Sequence, residues 1–75
     1  MTKLPLLNAK EFSRILKKMG FELLRQEGSH MFFHHPDGRT TVVPNHGGEE
    51  IDRGLLNKIV KQDLKLEREE FLRCL

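Results

Sequence analysis

At 75 residues, 37% of them hydrophobic and 32% charged, the chain has room for one globular domain with one modest core, and it lacks the composition of a disordered protein. No apolar run approaches the roughly 18 residues a membrane helix needs, and the first seven residues are too short for a signal peptide and lack an apolar h-region. The single cysteine, Cys74, excludes an internal disulfide and suits a reducing cytoplasm, while a net charge of +2 points only weakly to a polyanionic partner.

The first element is a helix over about Ala9–Met19. Asn8 is a good N-cap and Glu11 stands at N3, the capping-box pattern. Leu7 and Phe12 occupy the N′ and N4 positions of a hydrophobic staple. Phe12, Ile15, Leu16 and Met19 fall at helical spacing and form one apolar stripe. Gly20 supplies a left-handed stop, after which Phe21 can pack back on the helix. Lys10, Arg14, Lys17 and Lys18 form a basic stripe on the opposite side. Residues 1–46 carry seven Lys/Arg against four Asp/Glu, whereas residues 47–75 carry six against seven, so the basic excess lies in the first part. A solvated mixed surface accounts for the charge alone.

Three strands follow. Phe21–Gln26 leads to a short break at Glu27-Gly28-Ser29, then His30–His35 runs to the Pro36-Asp37-Gly38 turn. Thr40–Val43 is β-branched throughout and ends at Pro44. Two tight connections predict an antiparallel meander. A second helix is expected over Arg53–Gln62, capped by Asp52, with Leu55, Leu56, Ile59 and Val60 on its core face. A short final helix around Glu67–Leu72 would be anchored by Leu66 and Phe71. The fold class is therefore α+β, in the order helix, three antiparallel strands, helix. This is the layout of double-stranded-RNA-binding domains, and layout alone does not establish function.

The residues that can carry chemistry gather at Gly28-Ser29-His30. Gly28 allows a sharp bend, and His30 opens a strand that can hold its side chain in a fixed direction. Alternation puts His30, Phe32 and His34 on one face and Met31, Phe33 and His35 on the other. Our reading turns Met31 and Phe33 towards the helices, leaving Phe32 on the open face as the aromatic ring available to stack on a base. The opposite register, with Phe32 in the core and His30 merely capping a strand, stays open, because one sequence fixes register poorly. No metal site is expected. His30 and His34 stand roughly 13 Å apart along a strand, too far for easy chelation of one zinc, and His34 and His35 point to opposite faces. His46, in the Pro44–Gly48 loop, either approaches His30 or serves only the loop. Glu49, Glu50 and Asp52 suit the positive end of the following helix. Walker, dinucleotide, nucleophile-elbow and cysteine-pair motifs are missing from the sequence.

The stretch GFELLRQEGSHMFFHHPDGRTTVVPNHGGEEI resembles the HicA (YcfA-like) toxin family. The matching features are Gly20-Phe21, Arg25, Gly28-Ser29-His30, Pro36-Asp37-Gly38-Arg39 and Pro44-Asn45-His46, with Leu55–Gln62 and Glu69-Glu70-Phe71 behind them. The similarity spans about residues 7–73. One departure is Leu55, where a threonine often follows the glycine equivalent to Gly54. The resemblance implies a double-stranded-RNA-binding-like fold over nearly the whole chain and an endoribonuclease acting on mRNA. It also implies a place in a type II toxin–antitoxin system with a HicB-like antitoxin as partner. It assigns the functional histidine to His30.

Cleavage that uses the RNA's own 2′-hydroxyl needs proton transfer, and no cofactor is expected. Histidine suits that task, since its reference pKa of about 6.5 lies near working pH. His30 is accordingly the expected catalytic base or acid, with His46 or His34 as candidates for the second proton transfer. Ser29, Lys10, Arg14, Lys17, Arg25 and Phe32 are the expected RNA contacts, with Arg39 a further phosphate candidate. The rival readings are a non-catalytic RNA-binding module and an interaction domain without chemistry.

Overall fold

A computed structural model of the chain describes residues 4–75. The elements run α1 (Ala9–Lys18), β1 (Glu22–Glu27), β2 (His30–His34), β3 (Thr40–Pro44), α2 (Arg53–Lys58), a π-helical turn (Ile59–Asp63) and α3 (Arg68–Leu72). The fold is α+β, and its three strands form one antiparallel sheet in the order β1-β2-β3.

α1 starts and stops as its sequence requires. The Asn8 side chain accepts the Glu11 backbone N–H at 2.8 Å, and the Glu11 carboxylate accepts the Asn8 N–H at 3.0 Å. This reciprocal pair closes the capping box. At the other end Gly20 adopts φ +101, which lets the Phe21 N–H reach the Leu16 carbonyl and the Gly20 N–H reach that of Lys17. Those two bonds make the Schellman arrangement, and Phe21 is buried behind it.

The register of β2 is settled by burial. Met31 and Phe33 are buried, whereas His30 is exposed and Phe32 and His34 are half-buried. In β3, Thr41 and Val43 are the buried pair. The helices therefore cover the face carrying Met31, Phe33 and Val43. β1 is an edge strand exposed along its whole length, and a bulge between Leu23 and Arg25 leaves Leu24 as the extra, exposed residue.

Four of the five phenylalanines, Phe12, Phe21, Phe33 and Phe71, form the bulk of the core with Leu16, Leu56, Val60 and Leu64. Phe12 and Phe71 meet edge to face at 5.9 Å, which fastens α3 onto α1. The Ile51 N–H donates to the Leu7 carbonyl at 2.7 Å beside an Asn8–Glu50 bridge, so the starts of α1 and α2 are tied together.

The second helical region departs from the uniform helix expected over Arg53–Gln62. After Lys58 it widens into the π-turn, where the Leu64 N–H reaches the Ile59 carbonyl, and Lys65 then reverses the chain at φ +56. The Thr41 hydroxyl donates to the Asp63 carboxylate at 2.9 Å and pins the turn to β3. Leu55, expected in the core, is 38% exposed. The buried arc is set by Leu56, Ile59 and Val60, and Leu55 lies about 100° around the helix from Leu56. It lines a surface hollow with Pro44, His46 and Ile51.

Candidate functional site

The hairpin that carries His30 lies at one end of the sheet. Glu27 and His30 are paired across the two-residue turn Gly28-Ser29, and Gly28 has φ +59, the backbone state a two-residue hairpin needs at this point. His30 follows directly on a rigid strand and is exposed. On its other side it pairs with Pro44 of β3. The Asn45 N–H then donates to the Ser29 carbonyl at 2.6 Å, so the loop after β3 is bolted to the hairpin. His46, exposed in that loop, stands two residues beyond His30's strand partner.

The open face of the sheet adds Arg25 and Phe32. They are register partners, and the Arg25 guanidinium lies 4.3 Å from the centre of the Phe32 ring. One face of the ring expected to stack on a base therefore carries a cation already. Arg25 also forms an ion pair with Glu27. His34, farther along β2, is half-buried, and its Nδ1 is enclosed with no hydrogen-bond partner among the described residues. It offers less of its ring to solvent than His30 does.

The cations of α1 lie elsewhere. Lys10, Arg14 and Lys17 line a cleft of about 530 Å³ together with Ser13, Met31, Asn45 and Gly47. Met31 faces the helices, so this cleft opens on the side of the sheet opposite to Phe32. The expected site residues thus form two groups. Arg25, Phe32 and His30 share the open face, while Lys10, Arg14 and Lys17 share the helix side. Ser29 and the Asn45 loop sit at the rim between them. Lys18, the fourth member of the basic stripe, does not line the cleft.

Arg39 belongs to neither group. Its Nη1 donates to the Leu64 carbonyl at 2.7 Å, its Nε pairs with Asp37 at 2.7 Å, and its guanidinium stands 5.2 Å from the Phe21 ring. These contacts make it a tie within the fold. The Arg39 backbone N–H donating to Asp37, followed by the Arg39 side chain, holds the Asp37 carboxyl below its ordinary range despite an opposing desolvation effect. His35 is likewise internal. It meets the Met19 carbonyl through Nε2, accepts the Asp37 N–H at Nδ1, and packs edge to face on Phe21.

Sequence reading overlooked two groups. Glu27 faces His30 directly across the hairpin, where cross-strand Cβ atoms stand about 5 Å apart. Counting the two turn residues between them would have revealed it. Asn45 is the other, and its position became visible only when the loop was seen folded over Met31, with its Nδ2 3.9 Å from the sulfur. Among the described residues, no three His, Cys, Asp or Glu side chains assemble into a group that could hold a metal ion, and no helix is long and apolar enough to cross a membrane.

Comparison with known proteins gives a family match. Residues 9–63, from α1 to the end of the π-turn, match the family model described as the HicA toxin of bacterial toxin-antitoxin systems. A protein of Pseudomonas fluorescens (strain Pf0-1) named "Probable mRNA interferase HicA" is 46% identical over 52 residues, covering 69% of this chain and 85% of that protein. The matched span holds the capped basic helix, the Gly28-Ser29-His30 hairpin and the loop bolted to it, and the chain belongs to the HicA toxin family.

Proposed function

We propose that this chain is the toxin of a type II toxin–antitoxin pair and acts in the cytoplasm as an endoribonuclease on mRNA, with His30 as its catalytic residue. The observation that carries this reading is an exposed imidazole fixed at the start of a strand, between two surfaces that bear cations. The chain's membership of the HicA toxin family, and the mRNA interferase name of its relative, supply the reaction class.

The chemistry follows from RNA itself. The 2′-hydroxyl attacks the adjacent phosphorus, its proton leaves to a base, and the 5′-oxygen departs with a proton from an acid. The strand breaks, leaving a cyclic phosphate on one fragment and a 5′-hydroxyl on the other. His30 performs one of the two proton transfers, since a neutral imidazole accepts a proton and an imidazolium gives one near neutral pH. The second group is His46, exposed in the loop after β3, or the half-buried His34. Arg25 and the α1 cations hold phosphates by charge-assisted hydrogen bonds, Ser29 contacts the strand at the hairpin, and Phe32 offers the uncovered face of its ring to a base.

A HicB-like antitoxin is the expected protein partner, covering the α1 cations and the surroundings of His30. Expression in a bacterial host tests the whole reading. The wild-type chain should arrest growth, co-expression of the antitoxin encoded beside it should restore growth, and His30→Ala should be harmless at equal protein level. Normal growth with the folded wild-type chain at high level would contradict it.

A further inference from the structure

Given the RNA-directed function proposed above, we propose that the cleft between α1 and the 45–47 loop is a nucleotide subsite for single-stranded RNA. In it Met31 forms the floor under one base, and the Asn45 side-chain amide reads that base's edge. At about 530 Å³ the cleft has the size of a small-ligand site. Its lining divides by chemistry. Lys10, Arg14 and Lys17 stand on one wall at helical spacing, spanning about 10 Å of helix axis, which suits the phosphates of a strand lying along the wall. Met31, only 6% exposed, contributes a small polarisable patch to the floor, an apolar contact for the edge of a base. Asn45 and Ser13 supply uncharged polar groups beside it.

Asn45 is suited to the reading role. Its amide presents a donor and an acceptor in one plane, the pairing that recognises an adenine edge or another base with adjacent donor and acceptor atoms. The Nδ2 group rests 3.9 Å from the Met31 sulfur, a weak acceptor that a base can replace without leaving a strong bond unmade. The Ser13 hydroxyl also lies 3.9 Å from that sulfur, but it already donates to the Ala9 carbonyl at 2.7 Å. The Asn45 backbone is held by Ser29, the residue before His30. A base seated on Met31 would therefore lie at a fixed offset from the imidazole, and its identity would set where the strand is cut. The open face, with its one aromatic ring half covered by Arg25, has no comparable neutral donor–acceptor pair among the residues described for it.

The test uses full-length His30→Ala protein, which leaves the RNA uncut, titrated with the four homopolymeric tetraribonucleotides. Binding is read by fluorescence anisotropy and by nitrogen-15 NMR. One oligomer should bind more tightly than the weakest by roughly fivefold or more, the discrimination of a good amide–base pair, and the Asn45 side-chain amide and Gly47 signals should move. Adding Asn45→Ala should bring the ratio close to one, while Asn45→Asp, which keeps the shape but loses the donor, should change which base is preferred. Thermal melting of each variant confirms that it folds. Binding whose shifts are confined to Phe32, His34 and Val42, or a base preference that survives Asn45→Ala, would overturn the subsite and leave the ribonuclease reading intact. Failure of every oligomer to bind, together with no RNA cleavage by the wild-type chain, would overturn the RNA-directed reading and the subsite with it.

Discussion

Replacing Lys10, Arg14 and Lys17 together by Gln should remove most of the salt dependence of RNA binding. The three cations line one cleft, so each is positioned to neutralise a phosphate of the same strand. For single strands the slope of log affinity against log salt is about −0.7 for each neutralised phosphate. Three contacts give a slope near −2, so raising potassium chloride from about 50 to 200 mM should weaken binding roughly twentyfold. The triple variant should bind weakly at low salt, and its slope should be shallower by about 2. Arg14→Gln alone should reduce the slope by about 0.7. Glutamine keeps nearly the helix propensity of lysine and arginine, and all three side chains are exposed, so the melting temperature should hardly move. Anisotropy of a labelled oligoribonucleotide on the His30→Ala background measures the slope without cleavage. A triple variant with the wild-type slope would refute the reasoning and move the phosphate contacts to Arg25 or other cations.

Gly20→Ala should destabilise the fold by about 1–2 kcal/mol for the left-handed backbone. A further loss of about 1 kcal/mol is expected as the new Cβ, 2.9 Å from His35 Nε2, disturbs the bond to the Met19 carbonyl; chemical denaturation measures the sum. Asp37 is lowered in the folded state, so its contribution to stability is present above its ordinary value of 3.8 and is lost as pH falls through the lower folded value. Melting temperature should therefore drop on acidification below about pH 4, and Asp37→Asn should flatten part of that drop. RNA cleavage should persist in excess EDTA, because no compact ligand group is found among the described residues. Activity lost in EDTA and restored only by zinc or manganese would count against that expectation.

Local rules made most of the fold legible. The Asn8–Glu11 box, the Gly20 stop and the tight turns at Gly28 and Pro36–Gly38 are set by residues within a few positions of one another, and each forms as its chemistry requires. Alternation in His30–His34 gave the two faces, and burial of Met31 and Phe33 chose between the two registers. What escaped depends on contacts distant in sequence. The π-turn is held by Thr41 and Asp63, 22 residues apart. Arg39 is claimed by Leu64, 25 residues on. Leu55 satisfied helical periodicity, yet it lies at the edge of the arc that Leu56, Ile59 and Val60 bury, and is 38% exposed. The site was legible as a set of residue types and not as an arrangement. Charge and spacing select Lys10, Arg14, Lys17, Arg25 and Phe32, but only the sheet's two faces show that Arg25 and Phe32 share the open face with His30 while the α1 cations lie on the helix side.

Cleavage of a fluorogenic RNA by purified His30→Ala protein, beside the wild-type chain, tests the account most directly. His30 is exposed, so its loss should change stability by no more than about 0.5 kcal/mol, and circular dichroism and melting should match the wild type. Loss of a proton-transfer group should lower the rate by roughly 10²- to 10⁴-fold. A folded His30→Ala protein that cleaves at a near-normal rate, with contaminating ribonuclease excluded, would contradict the account and pass the role to His46 or His34.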